Sequence, residues 1–312
     1  MTTLPGEGIG RIESHLAGDG MRLHYRLVEA PLEGRRGRII YLHGSRSHGG
    51  WYLESAAELA RHGYTVYLPD RRGSGLNLEA RGHFERRAQL VDDLRRLIAL
   101  AREDDPGLPT VVAGVCWGAK TALTYALETP GELAGLVLVC PAIKTKVAPT
   151  LGEKLQVLLG LLGAPRRQIR LPLTPEMFTT NPPYLRFVRE DELSLQTASA
   201  RFFWETARWD RWLPRQHGLT LPLLVLQAGK DPIVDEPAVR RWFDRVASRE
   251  KRYLFYPGFG HTLDFEPERQ RYWDDLVGWL DGVLGGVAAA RPGTKQAERA
   301  AQPVQAAQRV AS

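Results

Sequence analysis

The chain has 312 residues, 43% hydrophobic and 25% charged, enough to bury a full core as one large α/β domain or two smaller ones. Its two cysteines, Cys116 and Cys140, exclude a disulfide framework and a four-cysteine zinc site. The net charge of +6 comes with no nucleic-acid recognition motif; the arginines, such as Arg35, Arg36, Arg71, Arg72, Arg166 and Arg167, are scattered and read as a solvated surface, with an anionic acyl carrier such as CoA as the alternative partner.

In chain order, the opening "MTTLPGEGIGRIESH" lacks the apolar stretch of a signal peptide, and no apolar run reaches the roughly 18 residues of a membrane span. The expected location is the cytoplasm. Residues 11–30 read as a hairpin around the turn Ala17-Gly18-Asp19-Gly20. "GRIIYLHG" (37–44) is a strand ending in a turn. "WYLESAAELARHG" (51–63) is a helix stopped by Gly63, and "YTVYLPD" (64–70) a second strand. Residues 84–103 place Leu90, Leu94, Leu97, Ile98 and Ala101 on one helical face. "PTVVAGV" is a buried strand, "WGAKTALTYALE" a helix and "LAGLVLVCP" (133–141) another strand. Residues 144–216 then break the rhythm. They are helix-like, rich in proline and aromatics, and too long for an ordinary connection, so a helical cap is expected there. Strand and helix resume with 221–231, "EPAVRRWFDRVAS", "KRYLFYPG" and "PERQRYWDDLVGWLDGVLG". The alternation predicts an α/β fold with a mostly parallel sheet and helices on both faces. The expected organisation is a core in two parts, 1–143 and 217–286, with the cap at 144–216 inserted between them. The Ala/Gln/Arg-rich residues 287–312 read as a disordered tail.

The stretch "VVAGVCWGAKTAL" (111–123) has the form of a nucleophile elbow, G-x-S-x-G, with Cys116 at the serine position. Gly114 and Gly118 would remove side chains where the backbone packs tightly. A cysteine at the start of a helix is favoured as thiolate by the helix dipole, and the Trp117 N–H would face the site as an oxyanion donor. Alone, the motif is weak and is better read as a glycine-flanked, inert cysteine. Other segments converge on the same sheet edge. The turn at His43-Gly44 would aim the Ser45 N–H into the crevice. Asp231 follows a strand in "LQAGKDPIVDE", and His261 lies in the loop "YPGFGHTLDFE". Nucleophile, acid, histidine is the order of α/β-hydrolases.

With these pieces, and with "PDRRGSGLN" at 69–77, the chain resembles the α/β-hydrolases of the monoglyceride lipase and lysophospholipase-like group, also filed with serine aminopeptidases, over roughly residues 10–285. The resemblance implies an α/β-hydrolase fold with an inserted cap, and an enzyme. It implies Cys116 as nucleophile, His261 as base and Asp231 as orienting acid, with the backbone N–H groups of Ser45 and Trp117 as oxyanion hole. Asp235 competes with Asp231 for the acid but stands further from the strand end and suits a helix cap. His43 reads as a structural support of its turn, and His48 as either a pocket or a surface residue. Asp70 reads as structural and Cys140 as inert. Trp51 and Tyr52, beside the oxyanion turn, and Trp204, on a cap helix, are the candidate substrate-binding residues. For Trp204, packing within the cap is the default reading and an apolar acyl pocket the sharper alternative.

Cysteine in place of serine changes the chemistry. A thiol, with pKa about 8.5, ionises more readily than an alcohol but also leaves more readily. An alkyl ester adduct therefore tends to revert by expelling sulfur, whereas thioesters, aryl or enol esters and lactones do not carry that penalty. The expected function is hydrolysis of carboxylic esters or thioesters, of lipase, lysophospholipase or esterase type, through an acyl-enzyme. The alternatives are an acyltransferase or thioesterase in lipid or natural-product metabolism, and a non-catalytic binding protein on the same fold. The expected partner is a small acyl ester or thioester, a lipid or an acyl-CoA. No cofactor, metal or nucleic acid is called for.

Overall fold

The computed structural model describes Gly6 and residues 8–289. The chain opens with the expected hairpin, β1 (Arg11–Leu16) and β2 (Arg22–Val28). It continues through β3 (Gly37–Leu42), α1 (Leu53–Arg61), β4 (Tyr64–Pro69), α2 (Arg87–Asp104), β5 (Thr110–Val115), α3 (Gly118–Glu128) and β6 (Gly135–Val139). There the chain leaves the sheet for α4 (Leu151–Gly163), β7 (Gln168–Arg170), α5 (Pro182–Glu190), β8 (Thr197–Ser199) and α6 (Ala200–Trp212). It returns with β9 (Leu223–Ala228), α7 (Glu236–Arg245), β10 (Lys251–Tyr256) and α8 (Arg269–Ala289).

Eight strands form one sheet in the order β1-β2-β4-β3-β5-β6-β9-β10. The first two junctions are antiparallel and all the others parallel. Strands β3, β5, β6 and β9 are buried along their whole length. Their runs of Val, Ile and Leu are what a strand covered on both faces requires. Helices cover both faces, with α1 packed on α8 and α2 on α3. The chain goes from β3 outward to β4 on one side and returns to β5 on the other. The crevice beyond the C-terminal ends of β3 and β5 is thus a topological switch point, where ligands of such sheets bind. Leu42 pairs with Gly114 across it, which brings the residues after both strands together.

The excursion between β6 and β9 differs from the helix-only expectation, because β7 and β8 pair as a short antiparallel ribbon. Helix α6 is tied to α3 by a hydrogen bond from Trp209 Nε1 to Thr124 Oγ1 (2.9 Å). Helix α4 begins with a capping box between Thr150 and Glu153, and it presents Leu151, Leu155, Leu158, Leu159 and Leu162 to solvent, each more than half exposed. No described helix is long and apolar enough to cross a membrane. Helix α8 reaches Ala289, and the rest of the expected tail lies outside the described residues. The reading of the arginines as solvated is corrected at two positions. Arg72 is buried between Asp93 (2.8 Å) and Asp19 (2.7 Å), and Arg71 is only partly exposed.

Candidate active site

Cys116 sits between the end of β5 and the start of α3 with φ of 51°. That left-handed conformation costs a non-glycine residue about 1–3 kcal/mol and persists only where its surroundings impose it. Here Cys116 N–H donates to Val139 O (2.9 Å), while its carbonyl accepts from Ala119 N (3.2 Å) and Ala142 N (3.0 Å). The flanking glycines have steric causes. A Cβ on Gly114 would stand 2.7 Å from Ala119 Cα, and one on Gly118 would stand 2.5 Å from His43 O. The elbow therefore forms because two side chains are missing where α3 crosses the strand ends. Cys116 is almost fully buried and lines a cavity of about 140 Å³.

Asp231 stands in the loop after β9 and His261 in the loop after β10, and the two meet through Asp231 Oδ2 and His261 Nδ1 at 2.8 Å. The other carboxylate oxygen accepts from the backbone N–H groups of Ile233 (2.8 Å) and Val234 (3.0 Å). Burial alone would raise the Asp231 pKa, but His261 and those two amides outweigh it and hold the group below the ordinary carboxylate value. For His261, burial works against the charge. The Asp231 carboxylate, first, and the neighbouring Cys116 side chain prevail and raise its pKa to about 10. Asp235 does not reach His261; its Oδ1 accepts from Ala238 N (3.1 Å) and caps α7.

The turn after β3 is held from behind. His43 Nδ1–H donates to Gly44 O (2.8 Å), and its Nε2 accepts from Arg71 N–H (2.9 Å). These partners specify a neutral ring, in keeping with burial that pulls its pKa down to about 3. Arg71 donates to Gly44 O and Ser45 O, both at 3.0 Å, and its guanidinium lies 4.6 Å from the Trp117 ring centre. In a trans peptide the N–H points opposite to the C=O. With the Gly44 carbonyl turned to Arg71 and His43, the Ser45 N–H points the other way. A Cβ on Gly44 would lie 3.4 Å from Cys116 Cβ, so this turn is against the thiol. Among the described residues, no hydrogen bond engages the backbone N–H of Ser45 or Trp117, and both residues line the cavity with Cys116.

The three expected substrate-binding side chains are placed elsewhere. Trp51 is buried behind the turn, donating from Nε1 to Asp191 (2.7 Å) and packed on Phe178, Phe187 and Phe265. Tyr52 is buried and bonded through its hydroxyl to Ser47 Oγ (3.1 Å), which in turn accepts from Gly44 N, so it props the turn. Trp204 is 38% exposed and does not line the cavity. The physical reason is the helical phase: Phe203 and Ala207 face inward, and Trp204 does not. The apolar wall comes from Leu171, Leu173, Phe202, Phe203, Val147 and Ile233. His48 is buried, accepting from Gly50 N at Nδ1 and donating from Nε2 to Asp191. Two residues in or beside the site carried no sequence signal, Arg71 and Lys120. Both are cations in charged or helical runs, where solvation is the ordinary expectation.

A second hollow of about 210 Å³ reaches His261 and is more polar, with Glu176, Thr179, Lys230 and Glu266 in its walls. A third, of about 50 Å³, lies behind Arg71 and Trp117 and does not reach Cys116. The ligand atoms of Cys140, Asp231 and His261 lie within 4.8 Å of one another, close enough for a metal. However, the facing atoms of Asp231 and His261 are joined to each other, and burial pushes the Cys140 thiol well up, away from the thiolate a metal needs.

The sheet order, the elbow and the loops at the strand ends define an α/β-hydrolase. Residues 33–268 match the family model described as serine aminopeptidase, S33. The monoacylglycerol lipase of Mycolicibacterium smegmatis is 31% identical over 278 residues, covering 86% of this chain and 97% of the relative. Phospholipase YtpA of Bacillus subtilis is 30% identical over 240 residues, 74% of this chain and 90% of its own. Among solved structures, a soluble variant of the monoglyceride lipase from Saccharomyces cerevisiae, in complex with a substrate analog, superposes with a TM-score of 0.79 at 20% identity, over 88% of this chain and 96% of that one. The chain belongs to the serine aminopeptidase S33 family of α/β-hydrolases. It is an enzyme of lipase- and esterase-like type.

Proposed function

We propose that the chain hydrolyses carboxylic esters or thioesters of apolar acyl groups, monoacyl lipids among them, through a Cys116–His261–Asp231 relay. One observation carries the reading: the buried Asp231–His261 hydrogen bond (2.8 Å) stands next to Cys116, which lines a cavity with mostly apolar walls. Relatives named for monoacylglycerols and phospholipids support the lipid side of it. The segment between β6 and β9 supplies much of that wall, which supports its role as a cap over the acyl site.

The steps follow from the geometry. The raised affinity of His261 for a second proton lets its Nε2 take the thiol proton of Cys116 as the sulfur attacks. The Cys116 sulfur attacks the acyl carbonyl, and the oxygen that gains charge lies between the Ser45 and Trp117 N–H groups. As the carbonyl re-forms, the bond to the leaving oxygen or sulfur breaks, and His261 gives that atom its proton. The neutral imidazole then takes a proton from water, whose oxygen attacks the thioester carbonyl carbon; the C–S bond breaks, and the Cys116 sulfur regains its proton from His261. Asp231 keeps the Nδ1 proton in place throughout.

The polar hollow at His261 favours a second reading, in which an alcohol, amine or thiol replaces water as acceptor. The two are separated by following release of p-nitrophenol from its esters and of free thiol from acyl-CoA, with and without added acceptor. Turnover to free acid without acceptor is expected. Turnover only when acceptor is present selects transfer, and no turnover of either class refutes both.

A further inference from the structure

Lys120 lies four residues beyond Cys116, on the first turn of α3, with 1% of its side chain exposed. Its Nζ donates to Ala142 O (2.5 Å) and pairs with the carboxylate of Asp210 on α6. The Ala142 N–H in turn donates to the Cys116 carbonyl, so a single residue, Ala142, links the ammonium to the backbone of Cys116. Lys120 and Asp210 both line the cavity that holds Cys116, and Asp210 is 40% exposed.

Stability does not explain this pair. Removing an ammonium from water costs several kcal/mol, and apolar side chains of similar volume commonly serve as well. The Trp209–Thr124 hydrogen bond already joins the same two helices. What the pair adds is a charged spot on a mostly apolar wall whose other polar side chains are Ser45, Thr145 and Thr206. An ammonium has three donors, and two are placed. The carboxylate has further lone pairs beyond the one facing Lys120. A fully charged ligand group is matched by one partner and repelled by the other. A hydroxyl is matched by both, accepting from Nζ and donating to Asp210.

We propose that Lys120 and Asp210 form a subsite for a hydroxyl group of the substrate, placed within reach of the acyl-sulfur bond. The proposal rests on the hydrolase reading above. The hydroxyl can belong to the acyl chain or to the alcohol, and two matched pairs of esters separate these sources. One is p-nitrophenyl hexanoate against its terminally hydroxylated analogue. The other is propyl butyrate against glyceryl monobutyrate.

The wild type is expected to prefer the hydroxylated member of one pair by about tenfold or more in kcat/KM, the worth of a hydrogen bond to a charged group. Lys120→Met and Asp210→Asn should each bring that ratio to parity, whatever their absolute rates, since a ratio within one preparation is independent of the folded fraction. If Lys120→Met does not fold, Asp210→Asn at its half-open position carries the test. No preference in either pair, or a preference that survives both substitutions, overturns the subsite and leaves the hydrolase reading standing. Absence of turnover with every ester overturns that reading and the subsite with it.

Discussion

Arg71 offers the sharpest test of the proposal that the turn after β3 supplies an oxyanion donor. Its side chain donates to Gly44 O and Ser45 O at 3.0 Å and to Ser74 Oγ at 2.7 Å. Arg71→Met removes all three hydrogen bonds. Each acceptor left without its charged donor loses about 1–3 kcal/mol. The turn is not released entirely, because Gly44 O keeps His43 and Gly44 N keeps Ser47. The Ser45 carbonyl is the one left loose, and its movement displaces the Gly44–Ser45 peptide, whose N–H is the proposed oxyanion donor. Losing one such donor lowers kcat by about 10²–10³. Since half the ties remain, the lower end, about a hundredfold, is expected. KM should change little, because Arg71 lines no part of the cavity at Cys116. The assay is steady-state hydrolysis of p-nitrophenyl butyrate, with circular dichroism and thermal melting as checks of folding. Arg71→Lys should recover little, since an ammonium does not span two carbonyls as the guanidinium fork does. An unchanged kcat in folded Arg71→Met would refute the reasoning.

Asp231→Asn should lower kcat by about three to four orders of magnitude by freeing the imidazole to adopt the wrong tautomer; Asp235→Ala should leave the rate intact and cost about 1 kcal/mol of stability through its lost helix cap, read by urea titration. The reverse ranking of the two rates moves the acid to Asp235. The raised His261 pKa has a signed consequence for stability. The folded protein holds this proton more tightly than the unfolded chain, so the stabilisation is complete below the ordinary value of 6.5 and is lost as pH rises through about 10. The melting temperature of the wild type should decline across that window more steeply than that of His261→Gln; equal slopes would show that His261 is not so perturbed.

Much of the fold was legible because its signals are local. A fully buried parallel strand must be apolar throughout, and "TVVAGV" and "GLVLV" are. The elbow was legible because a backbone crossing as close as Gly118 to His43 O admits only glycine. The β7–β8 ribbon was not, since strands of three residues, Gln168–Arg170 and Thr197–Ser199, leave no periodicity to read. Trp51 and Trp204 were misplaced for a related reason. Sequence shows that a tryptophan favours burial or an interface, but not what stands across from it, and Asp191 and Phe187 come to Trp51 from more than a hundred residues away. Lys120 was missed because its partner, Asp210, is ninety residues distant and a helical lysine ordinarily faces water. Asp231 and His261, by contrast, each follow a parallel strand, β9 and β10, and the C-terminal end of a parallel strand is a place that sequence order marks.

The most direct test of Cys116 as the nucleophile is intact-protein mass spectrometry after brief mixing with p-nitrophenyl butyrate, on wild type and Cys116→Ala. The wild type should gain the mass of one butyryl group, mapped by peptide digestion to Cys116, and Cys116→Ala should gain none and turn over no ester. Undiminished turnover by Cys116→Ala, or an adduct that maps to another residue, would contradict it.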